Sequence, residues 1–114
     1  MEICIKNIKD YSKKEQTIII RNTGISLIDG NSCYERMVSE DVDFINDVED
    51  KISKIVFNWK EEYIGNRMVD GEKYHITIEV NHKKKKYKIQ NKFPSNWGEF
   101  LELKEQIMEG KIYD

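Results

Sequence analysis

The side chains that most often do chemistry are present in this sequence, but not at working spacings. His75 and His82 stand seven residues apart, and neither has a cysteine or carboxylate at a metal-ligand spacing such as H-x-x-x-H or C-x-x-C. Cys4 lies between Ile3 and Ile5, which suits an inert, partly buried thiol better than a thiolate nucleophile. No serine sits in a G-x-S-x-G setting, and the glycines approach neither G-x-G-x-x-G nor a P-loop. Carboxylate pairs abound, but a charge-rich surface yields them by chance, so they do not nominate a glycosidase-like site. The expectation is a protein without catalysis, metal or cofactor.

Charge patterning is what remains. From Ser39 to Asp50 there are acids and no base: Glu40, Asp41, Asp43, Asp47, Glu49 and Asp50. On a helix Asp43, Asp47 and Asp50 would line the side opposite Phe44, Val48 and Ile52, as an exposed stripe able to dock a basic protein partner. The blander reading is a solvated helix face whose first-turn acids suit the helix dipole. From Asn81 to Lys92 the sign reverses, with Lys83, Lys84, Lys85, Lys86, Lys88 and Lys92 and no acid. Lys84, Lys86 and Lys88 could hold phosphates; otherwise they are a solvated strand face that discourages edge-to-edge association. Against nucleic acid stands the absence of arginine beside them and of exposed rings for stacking, since Tyr87 belongs to the core face.

The elements that position these charges follow from periodicity. Glu72 to Val80 alternates, with Tyr74, Ile76, Ile78 and Val80 on one side and His75, Thr77 and Glu79 on the other, as in a half-buried antiparallel strand. Lys84 to Gln90 reads as its hairpin partner. A turn at His82-Lys83 would set Ile78 opposite Tyr87, Ile76 opposite Ile89 and Glu79 opposite Lys86. Beyond Phe93-Pro94, Ser95 or Asn96 caps a helix carrying Trp97, Phe100, Leu101, Ile107 and Met108 on one side, closed by Gly110. Trp59 and Trp97 are both expected to be largely buried.

Upstream, Ile3, Ile5 and Ile8 mark a first strand, Asp10 to Glu15 a polar turn, and Thr17 to Arg21 a central strand. Asn22-Thr23-Gly24 turns into Ile25 to Ile28, and Asp29-Gly30 leads to a short strand near Cys33 to Val38. From Ser39 the period becomes helical: Phe44, Val48, Ile52, Ile55, Trp59 and Tyr63 recur every three or four residues. This predicts one amphipathic helix capped by Ser39, ended by Gly65-Asn66 and roughly 34 Å long at about 1.5 Å per residue. Asp70-Gly71 then turns into the hairpin. The expected fold is α+β: a two-layer sandwich in which a mainly antiparallel sheet, an N-terminal meander plus a C-terminal hairpin, carries two helices on one face.

A chain of 114 residues is expected to form a single domain, residues 1–114. No apolar run approaches ~18 residues and the N-terminus lacks a signal-peptide layout, so a cytoplasmic chain without a membrane partner is expected, with Cys4 and Cys33 as free thiols. Seventeen Ile, sixteen Lys and nine Asn against three Arg and no Ala point to AT-rich codons, hence a low-GC bacterium or its phage. The same bias supplies lysines wherever a surface needs charge, and a net charge of −2 gives no overall attraction to nucleic acid. The function expected is therefore a small protein-binding protein acting by occlusion, such as a toxin-immunity protein or a phage-encoded inhibitor of a host defence. The alternative is a nucleic-acid-binding accessory protein using the lysine hairpin.

Overall fold

The computed structural model describes residues 1–9, 14–30, 35–66 and 71–110. Cys33, Asp70 and most of the Asp10 to Glu15 turn lie outside the described residues. In chain order the elements are β1 (Glu2–Lys9), β2 (Glu15–Arg21), β3 (Gly24–Asp29), β4 (Arg36–Ser39), α1 (Val42–Val56), β5 (Glu62–Ile64), β6 (Glu72–Val80), β7 (Lys83–Gln90) and α2 (Trp97–Glu109). The strands form one 7-stranded sheet in the order β4-β3-β2-β1-β6-β7-β5, antiparallel except where β5 joins β7. The fold is α+β, with the first four strands as a meander and β6-β7 as a hairpin docked against β1.

Burial alternates along β1, β2, β6 and β7, whereas on β3 Gly24, Ile25, Ser26 and Leu27 are all buried. Ile3 and Ile5, Ile18 and Ile20, Ile25 and Leu27, Tyr74, Ile76 and Ile78, and Tyr87 and Ile89 share one side of the sheet. They make one apolar cluster with Ile45, Val48, Ile52 and Val56 of α1 and Phe100, Leu103 and Ile107 of α2. Both helices therefore cover the same face, and no described helix covers the other. Position 8 departs from expectation: Ile8 points to the open face and Asn7 takes the core-side place on β1. Along α2 it is Leu103 that is buried, while Leu101 is exposed.

The expected long helix is shorter at both ends. Asp41, not Ser39, is the N-cap: its Oδ1 accepts from the Asp43 and Phe44 amides at 3.0 and 3.3 Å, and Ser39 Oγ accepts from the Asp41 amide. The helix stops at Val56, so Trp59 and Tyr63 leave the helical stripe, and Tyr63 sits in the edge strand β5. Helical spacing persists because these two rings return to the same core from an extended segment. Gly65 does not close the helix. Its amide donates to the Gln90 carbonyl at 2.7 Å, and a Cβ there would collide with the Asn91 carbonyl.

The hairpin keeps its faces but shifts its register by two residues. Asn81 and His82 occupy the turn with φ of 53° and 66°, the left-handed pair that a tight two-residue hairpin needs, and Asn tolerates this better than a lysine would. Ile76 consequently opposes Tyr87, Ile78 opposes Lys85, and Glu79 opposes Lys84. A shift of two preserves parity, so Tyr87 and Ile89 remain buried and Lys84, Lys86 and Lys88 remain on the open face. Lys83 and Lys85 fall on the helix-bearing side.

Asn96 begins α2, yet its side chain makes no cap hydrogen bond. It instead accepts from Trp59 Nε1 at 2.6 Å and donates to the Ile55 carbonyl at 2.8 Å, which ties the start of α2 to the end of α1. Trp59 and Trp97 both pack against the core with only a minor part of each exposed, within an aromatic cluster that includes Tyr74, Tyr87 and Phe100. At the far end Gly110 adopts φ 77° and its amide donates to the Ile107 carbonyl at 3.0 Å, the left-handed stop expected there. Among the described residues no helix is long and apolar enough to cross a membrane.

Candidate functional site

Asp43, Asp47 and Asp50 are all exposed on α1, on the side away from Ile45, Val48, Ile52 and Val56. Asp50 pairs with Lys54 one turn on at 3.0 Å, and no ion pair among the described residues engages Asp43 or Asp47. Phe57 extends this face. It follows the helix with helical φ and ψ of −50° and −42°, so it continues the wheel, and Asp43, Asp50 and Phe57 recur at seven-residue intervals along one line. Its ring is 78% exposed, the most exposed of the large apolar side chains described. Composition and charge patterning singled out the acids and passed over Phe57, although its spacing of seven residues from Asp50 and fourteen from Asp43 already places it on the acidic side of the wheel rather than in the apolar stripe.

Beside Phe57 a groove of about 340 Å³ runs over Val56, Ile78 and Val80 to the tip of the hairpin, with Lys83 and Lys85 on its rim. The acidic line thus ends at an exposed ring with two cations beyond it.

The open sheet face carries the other charge set. Lys84, Lys86 and Lys88 stand in a row along β7, and no ion pair among the described residues engages them. Across the strands Lys6, His75 and Lys88 lie in register, with Thr17 on one side and Glu62 on the other. Burial, then the charges of Lys88, Lys6 and Lys73, lower the His75 pKa. Cys4 lies on the same face, where burial and then Glu2 push its thiol up and so disfavour the thiolate. No aromatic ring of the described strands faces this way.

A third feature gave no sequence signal. On the helix-bearing face, the strands change together from apolar to polar at one transverse row: Asp29 of β3, Gln16 of β2, Asn7 of β1 and Tyr74 of β6 are register partners. With Lys9, Glu72 and, from α2, Leu101 and Lys104, they line a cleft of about 680 Å³. Asn7 Nδ2 donates to Tyr74 Oη at 2.9 Å, and Tyr74 Oη donates to Glu72 Oε2 at 3.4 Å. Burial and the Glu72 charge push the Tyr74 hydroxyl well above the ordinary tyrosine value. Lys104 Nζ rests 5.3 Å from the centre of the Tyr74 ring, and burial pulls that ammonium below the ordinary lysine value although Glu72 opposes the shift. Each of these residues looks ordinary in sequence, and only the register brings them together.

Among the described residues no group of three or more His, Cys, Asp or Glu is placed to hold a metal ion. Comparison with family models, curated proteins and solved structures found no match.

Proposed function

We propose that the chain is a non-catalytic binding protein that acts by covering a protein partner, with the outer side of α1 as its contact. The observation that carries this reading is the alignment of Phe57 with Asp43, Asp47 and Asp50. An acidic stripe alone is what a solvated helix presents. An aromatic ring held 78% in water at the end of that stripe is an anchor of the kind that dominates interface energetics, and the carboxylates around it would steer a basic partner. Such occlusion suits a toxin-immunity protein or a phage-encoded inhibitor of a host defence, acting in the cytoplasm.

The test uses the intact chain, immobilised and exposed to a lysate of the cells that carry it. A basic protein should be retained by the parent and by the Lys84→Glu, Lys86→Glu, Lys88→Glu variant. Retention should be lost with Phe57→Ala and with Asp43→Lys, Asp47→Lys, Asp50→Lys. Unchanged capture by both of the latter variants would remove the proposal.

A second reading is favoured by the unpaired row on β7: the open face binds a phosphate backbone. Residues two apart on a strand are about 6.7 Å apart, so the three ammonium groups can meet successive phosphates without reading bases. Affinity would then fall steeply with salt, with a log-log slope of roughly −0.9 per duplex phosphate neutralised. The same lysine variant that spares protein capture would abolish it.

A further inference from the structure

The α1 side of the molecule carries both signs of charge, divided by an exposed ring. Asp50 stands in line with Phe57, about 10 Å before it at roughly 1.5 Å per residue, and Asp43 stands about two turns further back. Across Phe57, the groove of about 340 Å³ is lined by the apolar side chains of Val56, Ile78 and Val80, and its charged lining is Lys83 and Lys85 with no acid. Strand alternation puts these two lysines on the helix-bearing side, apart from Lys84, Lys86 and Lys88. No ion pair among the described residues engages Asp43, Lys83 or Lys85. Asp50 is held by Lys54, in an exposed pair that opens at little cost.

A surface ordered acid, ring, apolar groove, base is complementary to itself. A half-turn about an axis through the groove brings a second copy's lysines over the acidic line of the first and its Phe57 against the first copy's groove. The same contacts recur in reverse, which is the isologous relation of a two-fold dimer. We propose that this face binds a second copy of the chain, with Phe57 of each copy seated on Val56, Ile78 and Val80 of the other, and Asp43 and Asp50 facing Lys83 and Lys85 across the axis. The ring is 78% exposed in the single chain, so it has the most apolar surface to remove from water. A wholly basic partner answers the acids and meets the two lysines as like charges, and a wholly acidic one has the converse fault. A second copy presents each sign where the other stands.

A stable interface covers about 800 Å² per partner, close to a tenth of the 7661 Å² surface of this chain. One ring, one shallow groove and exposed charges belong to the weak end of that range, so the dimer is reversible. It covers the same side of α1 that would dock a basic partner, and the two therefore compete for Phe57. Self-association does not depend on that partner, since every group it uses belongs to this chain.

The test is sedimentation equilibrium of the purified full chain from about 1 to 500 µM, which should show a monomer–dimer equilibrium with a Kd of about 10 to 100 µM. The dimer should weaken at least about threefold when salt is raised from about 0.05 to about 0.5 M. The double variants Asp43→Lys, Asp50→Lys and Lys83→Glu, Lys85→Glu should each weaken it at least about tenfold. An equimolar mixture of the two should recover the parent's affinity within about threefold, because in the mixed pair every acid again faces a base. Such recovery also shows that both variants are folded. Lys84→Glu, Lys86→Glu, Lys88→Glu, on the other face, should leave the dimer unchanged. Without any substitution, diluting the ¹⁵N-labelled parent should move the Ser53, Phe57 and Lys85 amide resonances and leave those of Lys6 and His75 in place. A parent that stays monomeric throughout, a dimer indifferent to both charge variants, a mixture no tighter than either variant alone, or dilution shifts confined to the open sheet face would each overturn the proposal. Lys83→Glu, Lys85→Glu keeps Asp43, Asp47, Asp50 and Phe57, so capture of a basic protein by that variant tests the docking of a foreign partner separately.

Discussion

Phe57 is the residue on which the functional reading turns, and its two roles can be separated. Because the ring is mostly in water, Phe57→Ala should change stability by no more than about 0.5 kcal/mol in a denaturant titration, while partner binding falls by tenfold or more. Asn96 should behave in the opposite way. Its amide bridges Trp59 Nε1 and the Ile55 carbonyl, so Asn96→Ala should cost about 1 to 3 kcal/mol of stability by leaving both groups without their partner. His75 offers a check on the open face. Its folded pKa is lowered by burial and by Lys88, Lys6 and Lys73, so the unfolded chain takes up its proton first. Protonation thus opposes folding: the His75 contribution to stability should fall as pH drops below the ordinary imidazole value and through the lowered one. An NMR titration of the ring should show a midpoint below about 6.5 that rises in Lys88→Glu. A midpoint unmoved by that change would place Lys88 away from His75.

The elements show what was legible in the sequence and what was not. Period-two patterning located β1, β6 and β7, because burial of one sheet face enforces alternation at Ile3 and Ile5 or Tyr74 and Ile76, while the triple isoleucine marked β2 and turn signals marked β3 and β4. It could not separate registers differing by two, since both bury Tyr87. The choice was made by the turn, where Asn81 and His82 accept positive φ. His82→Gly should therefore stabilise the chain by up to about 1 kcal/mol, as glycine adopts that conformation without a Cβ penalty. Measured by chemical denaturation, a loss of stability would argue for a different turn. The helix overran its true end because Trp59 and Tyr63 share the helical spacing while lying on a return segment and on β5. The three-residue β5 has too few residues to alternate visibly. The polar cleft was hidden for another reason: Asn7, Gln16, Asp29 and Glu72 are far apart in the chain and become neighbours only when four strands end in step.

At the scale of the molecule, the two-layer arrangement turns a linear separation of charge into a spatial one. The acids of α1 face out from the helix layer, and Lys84, Lys86 and Lys88 face out from the bare side of the sheet. The two charge sets thus lie on opposite layers, and of the hairpin lysines only Lys83 and Lys85, at the groove beside Phe57, bring the positive sign to the α1 side. The most direct test is site-specific photocrosslinking, with p-benzoylphenylalanine placed in turn at positions 57 and 84 and irradiated in cells that carry the protein. The account predicts a discrete covalent adduct with a basic protein from position 57, absent from position 84 and abolished when Asp43, Asp47 and Asp50 are changed to Lys in the same chain. Adducts from position 84 alone, or an adduct at position 57 indifferent to those three changes, would contradict it.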